Sequence, residues 1–135
     1  MSTDAPVIST LSETECWNLM GTVELGRLVT CVDGWSEIFP VNFAVQHRTV
    51  LFRTAEGTKL VSSAINKHVL FEVDGNTADD GWSVILRGTA RTPHTDDDLE
   101  EARRAWLFPW TATPKPHFVR IHPLRITGRR FVFGP

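Results

Sequence analysis

The spacing of hydrophobic positions changes along the chain, and each change predicts a secondary-structure element. Between Leu11 and Met20 the apolar residues recur at helical spacing behind a capping box at Ser12 to Glu15, whose hydroxyl and carboxylate satisfy free backbone donors. Further helices are predicted over residues 59–65 and 99–107, and three aspartates ahead of the last one place negative charge at its start. The helices are therefore few and short.

Elsewhere the apolar positions alternate with polar ones, which is the period of a β-strand. The predicted strands cover residues 25–32, 38–45, 50–53, 69–73, 82–90, 118–122 and 125–133. Asp33-Gly34 predicts a hairpin turn between the first two strands, and His47-Arg48 predicts a tight turn before the third. Pro40 indicates an edge position or a bulge in the second strand, because it cannot donate to a ladder.

Short connections between consecutive strands imply antiparallel pairing. Six or seven such strands close most simply into a β-barrel decorated by short helices, since closure removes exposed edges. Residues 1–10 are small, polar and interrupted by Pro6, so we expect a flexible N-terminal arm there. The remaining residues, 11–135, are expected to form a single, mainly β domain.

Composition limits the classes of partner. The chain has 135 residues, of which 41% are hydrophobic and 22% charged, as in ordinary compact domains. Its formal charge of -2 gives no electrostatic footprint for nucleic acid or for an anionic membrane surface. The sequence shows neither a signal-peptide pattern nor an apolar run long enough to span a bilayer, so we expect a cytoplasmic protein.

Histidines and cysteines give no chemical signature. The five histidines lack the spacing of metal ligands, and Cys16 and Cys31 form neither a C-x-x-C pair nor a disulfide pattern. No local motif supports a hydrolytic nucleophile with its base. From the sequence we therefore expect no metal site, and we assign no catalytic residue.

The stretch at residues 52–60, F-R-T-A-E-G-T-K-L, combines an apolar strand end, a turn and a predicted helix start. Backbone N–H groups at a helix start, with Arg53 and Lys59 nearby, suit a phosphate, and Thr54 and Thr58 add hydroxyl groups. A solvated turn with two surface cations fits the same residues, so both interpretations stay open here. A nucleotide-hydrolase P-loop is excluded, because Gly57 is followed by Thr58 rather than Lys.

Two other motifs place polar groups in predicted strands. Asn42, between apolar neighbours, could read the polar edge of a ring system or could bond a backbone group near Pro40. Trp82 and Ser83 point to opposite faces of their strand, so only one of them lines a given pocket. Trp82 could pack on a flat heterocycle or fill the end of a barrel core.

Together these motifs resemble the pyridoxamine 5'-phosphate oxidase-like flavoproteins, in particular the short actinobacterial-type and nitroimidazole-resistance-type members. The matching motifs are L-S-x-x-E-C at Leu11, G-R-L at Gly26, P-V-N-F at Pro40, F-R-T-A-E-G-T-K-L at Phe52, F-E-V-D at Phe71, G-W-S-V at Gly81 and R-I-x-P-x-x-I-T-G-R-R at Arg120. Their order and spacing cover most of the chain.

This resemblance implies a six-stranded antiparallel split β-barrel that pairs as a homodimer, with FMN in grooves between the subunits. It implies an oxidoreductase that transfers hydride or electrons between the flavin and a small molecule. The alternatives are an F420-dependent reductase and a non-catalytic flavin- or haem-binding protein. Pyridoxamine phosphate oxidase activity itself is not expected, because the sequence lacks the Arg- and His-bearing C-terminal segment of that enzyme.

Carried over residue by residue, the resemblance also implies the cofactor contacts. Arg53, Thr58 and Lys59 would bind the flavin phosphate. The isoalloxazine would run beside Val41, Asn42 and Phe43, and Trp82 with Ser83 would approach it from the neighbouring strand. Thr54 and Leu60 complete the expected cofactor-binding set. Arg129 and Arg130 match the family's tail, either at the site or as surface cations.

Overall fold

The computed structural model describes residues 7–54, 65, 67–105 and 117–134, and these ranges contain seven strands and two helices. The strands are β1 Ile8–Thr10, β2 Leu25–Val32, β3 Trp35–Gln46, β4 Thr49–Thr54, β5 His68–Asn76, β6 Asp80–Arg91 and β7 His117–Val132. The helices are α1 Glu13–Met20 and α2 Asp96–Arg104. The prediction of a mainly β fold with short helices is confirmed.

The strands close into a six-stranded antiparallel barrel. The sheet order is β1-β7-β4-β3-β2-β5-β6, and β6 also pairs with β7, which completes the ring. The sequence predicts a flexible arm over residues 1–10, yet Ile8–Thr10 form β1 against residues 129–131 of β7. They do so because β4 pairs only with residues 117–121 of β7 and leaves an open edge farther along that strand.

Both predicted turns have the required backbone conformation. Asp33 and Gly34 have φ values of 53° and 81°, and His47 and Arg48 have values of 49° and 53°. Two successive positive φ angles match the twist of the flanking strands and set the register of each hairpin. The turn residues therefore specify the β2–β3 and β3–β4 pairings locally.

The two prolines that interrupt predicted strands are accommodated differently. Pro40 pairs with Arg27 of β2, whereas β4 contacts only residues 43–46 of β3, so Pro40 occupies the predicted edge position. Pro123 was expected to separate two strands. Instead β7 runs through it, because a register shift between Arg87 and Gly88 of β6 absorbs the irregularity opposite it.

Both described helices begin with a side-chain cap. The Ser12 hydroxyl accepts from the Glu15 backbone N–H at 3.1 Å while the Glu15 carboxylate accepts from the Ser12 N–H at 2.9 Å, which confirms the capping box. α2 starts at Asp96 rather than at residue 99, because the Thr95 hydroxyl caps the Asp98 N–H at 3.1 Å. The helix predicted over residues 59–65 lies outside the described ranges.

A buried arginine holds α2 on the barrel. Arg120 of β7 is 4% exposed and forms a 2.9 Å ion pair with Asp98 of α2. The Nη2 atom of this ion pair also donates to the Gln46 side-chain carbonyl at 3.1 Å, while Nη1 donates to the Thr49 hydroxyl at 2.8 Å and Nε to Asp98 at 3.1 Å. Gln46 in turn donates to the backbone carbonyl of Glu101 at 2.9 Å. The buried charge of Arg120 is therefore balanced by the Asp98 carboxylate and hydrogen-bonded to two neutral side chains.

Alternate residues of each strand fill the barrel interior, and α1 closes one part of it with Cys16, Trp17 and Met20. The packing leaves no room at two glycines. A Cβ at Gly128 would lie 2.7 Å from the Cys16 sulfur, and one at Gly26 would lie 2.4 Å from Cζ of Phe71. Close approach between backbone and side chain therefore selects glycine at both positions.

Replacing Gly26 with alanine is expected to destabilise the protein by about 1–3 kcal/mol, because the fully buried Phe71 ring must move to admit the methyl group. Urea denaturation measures this change in unfolding free energy. Gly134→Ala is the matched control, since a Cβ there meets nothing within 4 Å. Equal stability of the two variants would contradict the tight packing at Gly26.

Candidate functional site

Strand alternation places the residues of P-V-N-F on two sides of the barrel wall. Phe43 is 4% exposed and meets the Phe71 ring edge-to-face, with 5.0 Å between centroids. Val41 also packs against the core, whereas Asn42 points to the exterior. Val41 and Phe43 therefore support the wall from inside, and only their backbone borders the outer surface.

Asn42 has one satisfied and one unsatisfied end. Its Nδ2 donates to the backbone carbonyl of Glu24 at 3.2 Å, and the same carbonyl accepts the Phe43 N–H at 3.0 Å. Its Oδ1 is buried and has no hydrogen-bond partner within the described ranges. The side chain does bond a backbone group, as one sequence interpretation predicts, but the group belongs to Glu24 and the amide still presents an unused acceptor.

Asn42 lines a cavity of about 490 Å³ on the barrel exterior. The cavity is lined by Thr22, Val23, Glu24, Leu25, Arg27, Asn42 and Asp74. The lining combines an amide, two carboxylates and a guanidinium with the apolar Val23 and Leu25. Such a mixture suits a ligand with a flat apolar body and hydrogen-bonding edges.

One wall of the cavity carries a charged cluster. Arg27 bonds Glu72 at 3.2 Å and Asp74 at 3.1 Å through the same guanidinium nitrogen. Burial, followed by the hydrogen bond to Asp74 and the negative charge of that residue, raises the pKa of Glu72 to about 7. Two neighbouring carboxyls with a single arginine therefore retain a proton close to neutral pH.

Arg53 lies on the next strand beyond Asn42. It is exposed on β4, and its guanidinium carbon sits 6.0 Å from the centroid of the Phe118 ring, which orients the side chain. Thr54 follows it and pairs in register with His117. Thr58, Lys59 and Leu60 lie outside the described ranges, so the predicted phosphate cradle is seen only at its Arg53 and Thr54 end.

The strand registers align several predicted residues. Leu25 pairs with Asn42, and Asp74 pairs with Ser83. Continuing the β3–β4 ladder by one residue brings Arg53 opposite Asn42, and continuing the β2–β5 ladder by two brings Leu25 opposite Asp74. Arg53, Asn42 and Ser83 therefore fall on one row across five strands, and four steps of about 4.8 Å make the row roughly 19 Å long.

Trp82 and Ser83 occupy opposite faces of β6, as alternation predicts. Trp82 is 9% exposed and belongs to the core, where its ring covers Gly75 of β5. Ser83 is half-buried on the outer face. The expectation that both reach the ligand from a neighbouring strand is not met within one chain, because β2 and β5 separate β6 from β3.

Sequence reasoning did not identify the charged cluster as part of the site. F-E-V-D is one of the matching motifs, and its alternation places Glu72 and Asp74 on the same face. Nothing local connects them to Arg27, which lies 45 residues earlier than Glu72 and reaches it only through the β2–β5 register. A scan of alternating strands for like charges two residues apart would have found the carboxyl pair.

The remaining candidate positions have structural contacts. Arg130 forms a 3.1 Å ion pair with Asp80, and Arg129 lies opposite Ser83. Among the residues that the structure describes, no cluster of three His, Cys, Asp or Glu side chains could hold a metal ion. In the same residues no helix is long and apolar enough to cross a membrane.

The Glu72 carboxyl should make stability depend on pH. Folding raises its pKa to about 7, so the folded state binds this proton more tightly, and the resulting stabilisation is lost as pH rises through 7. The stability difference between wild type and Glu72→Gln is expected to fall by on the order of 2 kcal/mol from about pH 5 to about pH 8.

Urea denaturation across this pH range measures the difference. Glu100→Gln is the control, because Glu100 is an exposed α2 carboxylate whose ion pairs with Arg103 and Arg104 are 3.7 and 3.8 Å long. A curve for Glu72→Gln parallel to that of the wild type would contradict the raised pKa.

Comparison with known proteins identifies the family of this chain. Residues 12–130 match the family described as pyridoxamine 5'-phosphate oxidase. The uncharacterized protein Rv3129 of Mycobacterium tuberculosis is 55% identical over 91 residues, which cover 67% of this chain and 83% of the relative.

Solved structures show the same barrel. The FAD binding protein from Mycobacterium smegmatis is 60% identical with a TM-score of 0.85, and the match covers 93% of this chain and 99% of that one. The conserved protein DIP1874 from Corynebacterium diphtheriae is 37% identical with a TM-score of 0.81, covering 94% of this chain and 100% of the other. The resemblance in the motifs is confirmed, and the chain belongs to the pyridoxamine 5'-phosphate oxidase family.

Proposed function

We propose that this protein binds a flavin on the barrel exterior and acts as an oxidoreductase that passes hydride or electrons between the flavin and a small molecule. The observation that carries the proposal is Asn42, which lines the 490 Å³ cavity and whose buried Oδ1 has no hydrogen-bond partner in the described residues. A buried acceptor left unpaired costs about 1–3 kcal/mol. A ligand that donates to it recovers this energy.

The pyrimidine edge of a flavin carries such a donor, its N3–H. The bond from Nδ2 of Asn42 to the Glu24 carbonyl holds the amide in the orientation that presents Oδ1. Arg27 lines the same cavity, where its guanidinium is paired with Glu72 and Asp74. The residues present therefore fit the polar edge of an isoalloxazine.

Arg53 would hold the phosphate. Its guanidinium is exposed one strand beyond Asn42 and is oriented by Phe118, and an arginine fork matches phosphate oxygens. Thr54, Thr58, Lys59 and Leu60 follow it in sequence and complete the proposed cradle. On the outer row, Arg53 of β4 thus marks the proposed phosphate subsite, and Asn42 of β3 marks the proposed ring subsite.

A bound flavin supplies the redox chemistry, and the protein supplies position and electrostatics. Asn42 orients the ring edge, and Arg53 anchors the phosphate. The Glu72 and Asp74 carboxyls beside Arg27 hold a proton near neutral pH at the wall of the cavity. These residues tune the site, and we assign none of them as a catalytic acid.

The proposed cofactor is FMN, and the proposed contacts use only the riboflavin phosphate that FMN and FAD share. The 60% identical M. smegmatis protein is named as an FAD binding protein, which supports a flavin at this site. The deazaflavin F420 carries a similar ring edge and a phosphate, so it is the alternative cofactor. Direct titration with all three compounds decides among them.

We further propose that the protein is a cytoplasmic homodimer with the cofactor at the subunit interface. Several large apolar side chains are exposed on the single chain, among them Trp35, Ile38 and Ile85. Ser83 lies at the far end of the row from Arg53. A ligand that contacts both side chains would therefore contact Arg53 of one subunit and Ser83 of the other. Exposed apolar groups of this size support association.

Replacing Arg53 or Asn42 by alanine should weaken flavin binding, and riboflavin should distinguish the two effects. Arg53→Ala is expected to lower the affinity for FMN about 10- to 100-fold, the usual value of a charge-assisted hydrogen bond, and Asn42→Ala about 3- to 10-fold. Riboflavin, which lacks the phosphate, should respond only to Asn42→Ala. Quenching of flavin fluorescence measures each affinity.

Arg91→Ala is the matched control, because Arg91 is an exposed arginine at the end of β6 outside both subsites. Wild-type protein that takes up neither FMN, FAD nor F420 would refute the proposed function. Tight binding of flavin, with no reduction of the bound flavin by NADPH, NADH or reduced F420, would indicate that the protein is a flavin carrier and not an oxidoreductase.

The dimer gives a separate prediction. Sedimentation velocity should show a species of twice the 15.2 kDa chain mass, and flavin should increase its share because the ligand contacts both subunits. Ile38→Glu places a charge on an exposed apolar position and tests whether that face takes part. A monomer at all concentrations, with flavin still bound, would reject the interface site.

A further inference from the structure

Arg27 binds two carboxyl groups with a single nitrogen. Its Nη1 lies 3.2 Å from Oε1 of Glu72 and 3.1 Å from Oδ2 of Asp74. When both carboxyls are ionised, these three side chains, the Arg27 cluster, carry one negative charge in excess. When the pair of carboxyls holds one proton, the cluster is neutral. Its net charge therefore depends on a single proton.

The Arg27 cluster lies on the same outer face of the barrel as Asn42. Arg27 alternates with buried residues on β2, and Glu72 and Asp74 alternate with buried residues on β5. Arg27 and Asp74 line the 490 Å³ cavity together with Asn42, and Glu72 is bonded to Arg27 behind them. A ligand beside Asn42 therefore contacts the cluster through Arg27 and Asp74.

The elements around the cluster do not balance its excess carboxylate. On β6 the residues opposite Glu72 and Asp74 are uncharged, and exposed Arg87 lies one outward position farther along. On β3 the residue opposite Arg27 is a proline. Glu24, which precedes β2, lines the same cavity and adds another carboxylate. Among the described residues, Arg27 is the one cation bonded to the pair.

The pair consequently retains its proton up to neutral pH. Burial, followed by the hydrogen bond to Asp74 and the negative charge of that residue, raises the pKa of Glu72 to about 7, although Arg27 acts in the opposite direction. The two carboxyls titrate together, so the proton belongs to the pair. The cluster is neutral below this pH and negatively charged above it.

A flat ring in the cavity changes the solvation of the cluster. The side chains of Arg27 and Asp74 are 37% and 48% exposed, and a ring against them displaces the water that they contact. Loss of water disfavours the charged form of an ionisable group. The ring therefore binds more tightly to the protonated, neutral cluster than to the ionised one, and by linkage it strengthens the binding of the proton.

We propose that Glu72 is a positioning residue that couples binding of the flavin ring to uptake of a proton from solvent by the carboxyl pair. Glu72 acts on the ring through Arg27 and Asp74, which it keeps neutral when the ring is bound. This inference rests on the proposed flavin site and adds its regulation by pH. The complex is favoured below about pH 7, and its extra stability is lost as pH rises through that value.

Riboflavin is the probe, because it keeps one charge state near neutral pH, whereas the phosphate of FMN titrates in this range. The affinity of the wild-type protein for riboflavin is expected to fall about 5- to 10-fold from about pH 6 to about pH 8.5, since the ligand-free cluster loses its proton first. Quenching of riboflavin fluorescence measures the affinity at each pH.

Substitutions identify the group that binds the proton. Glu72→Gln keeps a side chain that donates to Asp74 but cannot ionise, so its affinity should be equal at both ends of the range. At about pH 8.5 it should bind riboflavin about 5- to 10-fold more tightly than the wild type. Asp74→Asn should also abolish the pH dependence, because the remaining carboxylate then has Arg27 to itself.

Glu24→Gln is the matched control. It removes a carboxylate that lines the same cavity but is not bonded to Arg27, so the pH dependence of the wild type should persist. If Glu72 were important only for structure, Glu72→Gln would change the affinity by the same factor at every pH.

Calorimetry detects the proton in the wild-type protein and does not depend on the folding of any variant. Riboflavin is titrated into the protein at about pH 7.5 in phosphate and in Tris, whose ionisation enthalpies differ. The difference between the two binding enthalpies should correspond to uptake of roughly half a proton for each riboflavin bound. The same measurement on Glu72→Gln should give no uptake.

Loss of binding and loss of proton coupling are separate results. Failure of both riboflavin and FMN to bind at any pH would refute the flavin site and the coupling together. Riboflavin that binds with equal affinity across the range, or without proton uptake, would overturn the coupling and retain the flavin site. A pH dependence that persists in Glu72→Gln would also overturn it, because another group then binds the proton.

Discussion

Each strand of this barrel has two neighbours because β7 is long enough to pair with both β4 and β6. Its 16 residues pair with β4 through positions 117–121 and with β6 from 120 to 132. Closure removes the open edges that a sheet of six antiparallel strands would otherwise expose. It also turns one face of every described strand inward, so among these strands the outward residues form the surface that a ligand can contact. The position of Asn42, Arg53 and Ser83 on one outer row follows from the registers of the β4-β3-β2-β5-β6 ladders.

The irregularities of the ladders create two cavities. β3 and β4 stop pairing beyond Phe43 and Phe52, which leaves Asn42 and Arg53 at the start of an opening. β2 and β5 stop pairing beyond Val29 and Leu70, and a second cavity, of about 370 Å³, begins there. Each cavity is therefore bordered by a strand segment that has lost a partner on one side.

A buried polar group distinguishes the Asn42 cavity from an ordinary surface hollow. In the described ranges two buried side-chain atoms lack a partner, Oδ1 of Asn42 and the Thr30 hydroxyl, but Thr30 faces the barrel interior and Asn42 lies on the outer face. A further cavity of about 360 Å³ beside α2 is lined by Arg120, whose guanidinium is fully engaged with Asp98, Thr49 and Gln46. That cluster stabilises the docking of α2.

Local interactions allowed the sequence alone to predict much of the fold. The capping box at Ser12, the positive-φ turns at Asp33-Gly34 and His47-Arg48, and the period of two in the strands each involve residues close in the chain. The motifs spread over most of its length indicated the family for the same reason, since each is a local pattern. Where a neighbouring strand altered the outcome, as opposite Pro123, the prediction was wrong.

The candidate site depended on contacts between residues distant in the sequence, and only the tertiary structure decided those. Periodicity placed Asn42 on a strand, but its unpaired acceptor depends on Glu24 occupying its other end. The raised pKa of Glu72 requires burial together with Asp74 and Arg27 from another strand. The β2–β5 register that brings Arg27 to Glu72 is not encoded by a turn, because 45 residues separate them. The sequence by itself thus determined the elements and the family. The pairing of strands in the folded barrel determined which side chains share a cavity.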